Sequence, residues 1–258
     1  MVTNRSHRAA RGSKTTLALV GFATIVLAAV GAYIGFSLSS TAHTGDSGSP
    51  QATPTSSSTL HTTLIASLTT TTPSFLAPGG PAARPIAATW HGSPLDLPVI
   101  SSRDGYLEVR LPTRPNGSTT WIRANDVRLL ETPYKIVINL ATRHLLLYRD
   151  GRLTLDTPAG IGTVADPTPT GHFFVAFFAK APSPAWGPFV MVTSAHSNAI
   201  SDWEESGDAI VAIHGPLGQD RAIGTNGAQV SHGCVRLHDV ALVLLRVVPD
   251  GSPVEIIS

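Results

Sequence analysis

Cysteine is nearly absent from this chain of 258 residues, in which Cys234 is the sole example. One cysteine excludes an intramolecular disulfide, so no disulfide framework stabilises the fold. The chain also lacks the Cys-x-x-Cys and His-Glu-x-x-His spacings that mark common zinc sites. The lone thiol is therefore either a buried apolar filler or a reactive group.

Charged side chains are scarce as well, at 14% of all residues, with 18 basic against 17 acidic groups. The basic cluster of the chain lies in residues 1–14, which contain no acidic residue. A nucleic-acid-binding surface needs a basic patch on the folded part of a protein, so we expect no nucleic-acid partner.

A long uncharged segment follows the basic residues 1–14. No Asp, Glu, Lys or Arg occurs between residues 15 and 45, and the middle of this segment is apolar over about the length that a helix needs to cross a bilayer. We expect residues 15–40 to be a signal anchor in the cell membrane, with residues 1–14 in the cytoplasm and the rest outside. A cleaved signal peptide is the alternative, because Ser40-Thr41-Ala42 offers a small-residue cleavage site. Both interpretations export the rest of the chain.

Residues 41–83 are rich in Ser, Thr, Pro, Ala and Gly, and Asp46 is their only formal charge. Such a composition buries too little apolar surface to offset the entropy cost of ordering the backbone. We therefore expect a disordered linker that lets the following domain reach away from the membrane.

Short strand patterns separated by turn signals begin near residue 84 and continue to residue 131. Residues 106–110 alternate between apolar and polar side chains, as a half-buried strand does, and Asn116-Gly117 is a strong hairpin signal. Five such patterns within 84–131 predict a small β-barrel, and the segment resembles the bacterial SH3-like modules found beside cell-wall enzymes. A wall-binding module and a plain packing or spacer module both fit the sequence.

Residues 132–258 read as a predominantly β domain with one or a few short helices. Asp239 is expected to cap a helix over residues 240–248. Residues 181–188 and 194–208 are expected to form loops or a flap over a site, with Trp186 in one wall. The predicted fold class is therefore mainly β, with the SH3-like barrel and the transmembrane helix preceding the larger domain.

The chemistry of this domain centres on His214 and on Ser231-His232-Gly233-Cys234. A thiol needs a base to become a nucleophilic thiolate. His232 can share a strand face with Cys234 because residues i and i+2 of a strand point the same way, whereas His214 must arrive from a neighbouring strand. A structural thiol and a zinc site that adds His238 are the alternatives.

The spacing of these residues resembles the signature of the L,D-transpeptidase catalytic domain of bacterial cell-wall enzymes. That signature is a histidine, here His214, followed after sixteen residues by Ser231-His232-Gly233-Cys234. The segment Gly162–Gly171, which contains Asp166-Pro167-Thr168-Pro169-Thr170, also resembles the Thr-Pro-rich turn of the family. The likeness covers approximately residues 134–258.

The resemblance implies an acyltransferase that needs no cofactor and no metal, and that acts on peptidoglycan stem peptides. Cys234 would be the nucleophile and His214 its base, with His232 as a further member of the catalytic group. The backbone amides of His232, Gly233 and Cys234 would form the oxyanion hole. Carbapenem-type β-lactams would inhibit the enzyme, and the inner membrane would hold its N-terminal helix.

Four further residues are candidates for substrate binding: Gly215, Ser231, Arg236 and Trp186. Arg236 stands where many members of the family have Asn, and it either docks a carboxylate of the stem peptide or makes a surface salt bridge. The predicted product is a 3→3 cross-link between two stems. An L,D-carboxypeptidase and a non-catalytic wall-binding protein are the alternatives.

Overall fold

The structure is a computed structural model that describes residues 61–258. Strands dominate it, as the sequence predicts. The strands are β1 (Thr63–Ser67), β2 (Thr89–Trp90), β3 (Ser93–Pro94), β4 (Asp96–Arg103), β5 (Tyr106–Arg110), β6 (Thr119–Arg123), β7 (Arg128–Thr132), β8 (Tyr134–Asn139), β9 (His144–Arg149), β10 (Arg152–Pro158), β11 (Gly160–Gly162), β12 (Gly171–Ala179), β13 (Val190–His196), β14 (Ile210–His214), β15 (Ala228–Ser231), β16 (Val235–Arg236) and β17 (Pro253–Ile257). The α-helices are α1 (Asp220–Ile223) and α2 (Asp239–Leu244), and 3-10 turns occupy Ala124–Asp126, Pro184–Trp186 and Leu245–Val247.

An N-terminal module is built on a five-stranded antiparallel sheet in the order β6-β5-β4-β1-β7. The alternation seen in residues 106–110 is confirmed as strand β5, in which Leu107 and Val109 are buried. These side chains pack with Leu97 of β4 and Ile122 of β6 in one apolar core. The SH3-like character of the module stays a prediction.

The expected disordered linker over residues 41–83 is wrong for residues 61–83. Strand β1 lies between β4 and β7, and its Ile65 and Ala66 are buried. The Ser and Thr residues that suggested disorder are themselves built into the fold: Ser74 is buried and its hydroxyl donates to the Arg84 carbonyl at 2.7 Å. Composition failed here because hydroxyl groups that find backbone partners cost little to bury.

The remaining N-terminal expectations lie outside the described residues. They are the cytoplasmic segment 1–14, the signal anchor 15–40 and the linker residues 41–60. Within residues 61–258, neither helix has the length and apolar character that a membrane crossing requires.

The C-terminal domain is organised by one ten-stranded mixed sheet in the order β10-β9-β8-β17-β12-β13-β14-β16-β11-β15. Three of its neighbouring pairs are parallel: β8 with β17, β14 with β16, and β11 with β15. Its apolar core includes Ile138, Met191, Ile213 and Leu242. This arrangement confirms the mainly β class.

Helix α2 packs against the sheet through Ala241 and Leu242, which are buried. Asp239 is its first helical residue and not its cap, since His238 holds the extended N-cap position and no side chain caps the helix. An acidic residue in the first turn still interacts favourably with the helix dipole, which explains its place there. The predicted single helix over 240–248 is instead α2 followed by the 3-10 turn Leu245–Val247.

Strand β12 belongs to both lobes of the structure. Phe173 and Val175 point into the core of the C-terminal domain, while Phe174 and Ala176 point into the core of the N-terminal module. Successive side chains of a strand face opposite ways, so one strand can serve two cores. The module is therefore packed directly on the large sheet.

Replacing Ile65 tests whether β1 is a core strand. Ile65→Ala should lower the free energy of unfolding by about 2–5 kcal/mol, because it removes buried methylene groups and leaves a cavity. Leu76→Ala is the control from the same stretch: this side chain is 70% exposed, so about 0.5 kcal/mol or less is expected. Urea unfolding followed by circular dichroism measures both, and equal effects would contradict the assignment of β1.

Candidate active site

The parallel pairing of β14 with β16 brings the two ends of the predicted site together. Ile213 pairs with Val235 and His214 with Arg236, and the Leu237 amide donates to the His214 carbonyl at 2.9 Å. Cys234 immediately precedes β16, so it lies close to the end of β14 although nineteen residues separate it from His214 in the sequence.

His214 and Cys234 line one cavity of about 400 Å³. Apolar side chains form much of its wall, and among them are Trp186 and Trp203. The cavity loop, which we define as residues 197–209 between β13 and β14, contributes Ile200, Trp203, Ser206 and Asp208 to this wall. The predicted flap over 194–208 is thus a cavity wall, although its first residues, up to His196, belong to β13.

His214 is buried, and its Nδ1 lies 2.8 Å from the Gly215 carbonyl oxygen. A carbonyl only accepts hydrogen bonds, so Nδ1 carries the proton and Nε2 of the neutral ring is left as a base. The Trp186 ring lies against the imidazole with 4.3 Å between the ring centroids.

Burial lowers the pKa of His214 to about 4, against a smaller opposing effect of the Gly215 hydrogen bond, and the charge of Arg236 lowers it further. The imidazole is consequently neutral at neutral pH and can accept a proton.

Cys234 is half-buried, and burial raises the pKa of its thiol. A hydrogen bond from the backbone of Ala212 and the charge of Arg236 both act in the opposite direction. The resting site therefore holds a protonated thiol and a neutral imidazole, not an ion pair. Forming the thiolate requires transfer of the thiol proton to a base.

A tight turn carries Ser231, His232, Gly233 and Cys234. Gly233 has φ +116°, a conformation that L side chains rarely adopt, and its amide donates to the Ser231 hydroxyl at 3.2 Å. This bond engages one of the three amides predicted for the oxyanion hole. The His232 and Cys234 amides have no hydrogen-bond partner within residues 61–258, so they are free to receive a ligand oxygen.

Thr168 fixes this turn, a role that the sequence analysis missed. Its hydroxyl donates to the Gly233 carbonyl at 2.9 Å and accepts from the Gly162 amide at 2.9 Å. A Cβ at Gly162 would lie 2.3 Å from the Asp166 carbonyl oxygen, so the approach of the two backbones requires glycine. The Thr-Pro-rich segment is the signal that could have revealed this contact.

His232 does not share a strand face with Cys234, contrary to the expectation from spacing. The positive φ of Gly233 breaks the extended chain between the two residues, and the His232 side chain is 59% exposed. Its ring lies 5.1 Å from that of Trp203, between centroids, and its Nε2 is 3.9 Å from an Asp166 carboxylate oxygen. His232 still lines the cavity, but at a solvent-exposed place.

Three of the four predicted substrate-binding residues, Trp186, Ser231 and Arg236, line the cavity. Gly215 does not line the cavity itself but contacts the residues that do. Its amide donates to the Trp186 carbonyl at 2.8 Å, and a Cβ on Gly215 would lie 2.6 Å from the Gly187 nitrogen. Glycine at this position therefore permits the contact between Trp186 and His214.

Arg236 makes no salt bridge within the described part of the chain. Its side chain is half-buried and its Nε is buried without a hydrogen-bond partner. A guanidinium that lines a cavity with a free donor is suited to binding a carboxylate.

The zinc alternative finds no support among residues 61–258, which contain no group of three or more potential ligands placed to hold a metal. Both ring nitrogens of His238 in particular contact other groups. Its Nδ1 lies 2.9 Å from an Asp220 carboxylate oxygen and its Nε2 lies 3.0 Å from the Gly224 carbonyl.

The low pKa of His214 predicts a specific loss of stability in acid. The unfolded chain binds the His214 proton near pH 6.5 and the folded protein only near pH 4, so acidification between these values favours unfolding. As pH falls from 7 to 4.5, the wild type should lose about 2–3 kcal/mol more unfolding free energy than His214→Gln. Urea unfolding at a series of pH values measures the difference, and parallel pH dependences would contradict the buried neutral imidazole.

Comparison with known proteins identifies a family that matches the same part of the chain. Residues 133–256 match the YkuD family, described as the L,D-transpeptidase catalytic domain. The YkuD protein of Bacillus licheniformis is 32% identical over 125 residues, and that of Bacillus subtilis is 26% identical over 125 residues. Each alignment covers 48% of this chain and 66% of the relative.

Among solved structures, the L,D-transpeptidase LdtMt1 in complex with imipenem is 19% identical, with a TM-score of 0.40. The match covers 75% of this chain and 82% of that one. The resemblance that the sequence carries is confirmed for residues 133–256, which match the L,D-transpeptidase catalytic domain of the YkuD family.

Proposed function

We propose that this protein forms 3→3 cross-links in peptidoglycan by transferring an acyl group from a tetrapeptide stem to an acceptor amine through Cys234. One observation carries the proposal: a thiol and a histidine whose Nε2 is a free base line the same cavity at the ends of two paired strands. Nucleophile and base on neighbouring elements, with the base oriented by a third group, are the parts that thiol acyl transfer needs.

The first half of the reaction forms a thioester. His214 Nε2 accepts the thiol proton as Cys234 Sγ bonds to the carbonyl carbon of the third stem residue. The tetrahedral intermediate then breaks its C–N bond, and the departing D-alanine takes the proton back from the imidazolium. The amides of His232 and Cys234 stabilise the oxyanion, and such a donor is worth about 3–4 kcal/mol of barrier.

The second half transfers the acyl group to the side-chain amine of another stem. The amine attacks the thioester carbonyl and gives a proton to His214, the C–S bond breaks, and the thiolate recovers a proton from the imidazolium. Replacing the amine by water would give the carboxypeptidase reaction, so the acceptor decides the product.

The electrostatics of the cavity favour proton transfer at the moment of attack. Burial disfavours both the thiolate of Cys234 and the imidazolium of His214, so neither charge accumulates before substrate arrives. The neighbouring charge of Arg236 stabilises negative charge on the sulfur and lowers the thiol pKa in opposition to burial. We assign Arg236 the further role of binding a stem carboxylate, on the strength of its unpartnered Nε.

We place this reaction outside the cytoplasmic membrane. The support is the sequence of residues 1–40, where a basic segment precedes a long uncharged, apolar one. The peptidoglycan substrate is found on that side, so an exported domain on a membrane anchor fits the chemistry.

The decisive experiment incubates the protein with a disaccharide-tetrapeptide and separates the products by mass. We expect a cross-linked dimer from the wild type and none from Cys234→Ala, because the thioester cannot form without the sulfur. Circular dichroism confirms that the variant is folded. Dimer formation by Cys234→Ala would refute the nucleophile, and free tripeptide without dimer would establish the carboxypeptidase.

Acylation by imipenem separates the two histidines. Thiolate attack opens the β-lactam ring, and intact-protein mass spectrometry follows the adduct. Losing a general base typically costs 10²–10⁴-fold, so His214→Ala should slow acylation by roughly that factor. His232→Ala, which removes an exposed ring, should slow it by less than about tenfold. The reverse order would make His232 the base.

A further inference from the structure

One side chain of the N-terminal module joins the two ends of the cavity loop. The Arg114 Nε donates to the Asp208 carboxylate at 2.8 Å, and its two terminal nitrogens donate to the Ser197 carbonyl at 2.9 Å and the Ile200 carbonyl at 3.1 Å. Ser197 begins the loop and Asp208 lies next to its end. A planar guanidinium with several donors suits such a bridge, which a lysine ammonium could reproduce only in part.

Asn116, which the sequence marks as a turn residue, adds a second attachment. Its side-chain amide donates to the His196 carbonyl at 2.7 Å, and its side-chain oxygen accepts from the His196 amide at 2.9 Å. It thereby satisfies the last residue of β13 as a neighbouring strand would. The same amide lies 3.2 Å from the Asn198 side-chain oxygen inside the loop.

The His196 ring links the module to the same carboxylate. The ring is buried, with Nε2 3.0 Å from the Pro112 carbonyl oxygen and Nδ1 2.8 Å from the second Asp208 oxygen. Burial works against ionisation of Asp208, but the close contact with His196 and hydrogen bonds from the Ala209 amide and Arg114 outweigh it and lower the pKa of the carboxyl. Asp208 is therefore held as a charged anchor between two lobes.

The cavity side of the loop is what these attachments hold in place. Ile200 and Trp203 line the cavity, and Trp203 lies beside His232. The module also reaches the cavity itself through His91. Next to it, Trp90 packs with 6.3 Å between its ring centroid and that of His196. Module and catalytic domain thus build one site together.

We propose that Arg114 is a positioning residue for acyl transfer, and that the N-terminal module completes the active site by fixing the cavity loop against Cys234. The kinetic consequence rests on the proposed function. Arg114 acts through Asp208 and the loop backbone: without it, Trp203 and Ile200 leave the arrangement that encloses the stem peptide. His214 ends strand β14 and Cys234 lies in the turn before β16, so neither depends on Arg114 for its position.

The test compares Arg114→Gln with Arg128→Gln, which removes the same charge from the same module. Arg128 is exposed on β7 and makes no hydrogen bond or ion pair through its side chain in the described structure. In Arg114→Gln we expect faster amide hydrogen exchange within residues 197–209 and a KM for the tetrapeptide stem raised roughly tenfold, the size of one lost charge-assisted bond. The rate of Cys234 alkylation by iodoacetamide, a reagent too small to need the loop, should stay within twofold in both variants.

A double variant tests whether Asp208 is the residue through which Arg114 acts. If Arg114 acts through Asp208, the double variant Arg114→Gln with Asp208→Asn should raise KM less than the product of the two single effects. Arg114→Lys, which keeps the charge, should restore part of the effect and replaces the glutamine variant if that one does not fold. Exchange and KM equal to those of Arg128→Gln would overturn the proposal. Absence of turnover in the wild type would refute the proposed function alone, since hydrogen exchange would still decide the role of Arg114.

Discussion

The parallel pairing of β14 with β16 is the constraint on which the site depends. It aligns His214 with Arg236 and places Cys234 at the start of the second strand. A one-residue slip in this register would turn His214 towards the opposite face of the sheet, where it could not meet the cavity. Because Ile213 and Val235 are both fully buried beside His214 and Cys234, core packing holds the register that the proposed chemistry needs.

A resting state with two neutral groups avoids the free-energy cost of a buried charge. A preformed thiolate would need permanent compensation for its desolvated charge, and it would be exposed to oxidation and to unintended electrophiles. Here burial favours a protonated Cys234 and an unprotonated His214, which suits the proposed transfer of the thiol proton only when a carbonyl is in place. The hydrogen bond from His214 Nδ1 to Gly215 matters because it selects the useful tautomer without adding charge.

The sequence predicted those features of the structure that a local pattern of residues determines. Alternation identified β5, and the spacing of His214 from Ser231-His232-Gly233-Cys234 identified a site of which His214, Ser231, His232 and Cys234 line one cavity. Prediction from the sequence failed where contacts between residues distant in the chain determine the structure. Composition could not show that β1 would find β4 and β7, and no local signal joins Arg114 to Asp208 across 94 positions. Spacing alone allowed His232 and Cys234 to share a strand face, whereas Gly233 turns the chain between them.

Because strand β12 is shared by two cores, it limits how such a protein can evolve. Its side chains serve two cores in alternation, Phe173 and Val175 in one and Phe174 and Ala176 in the other. A catalytic domain excised from its neighbour would expose Phe174 to water, and a new neighbour would have to offer a matching apolar face. Recombination that exchanges whole modules is therefore restricted at this boundary, and the two lobes are expected to change together, one substitution compensating for another across the shared strand.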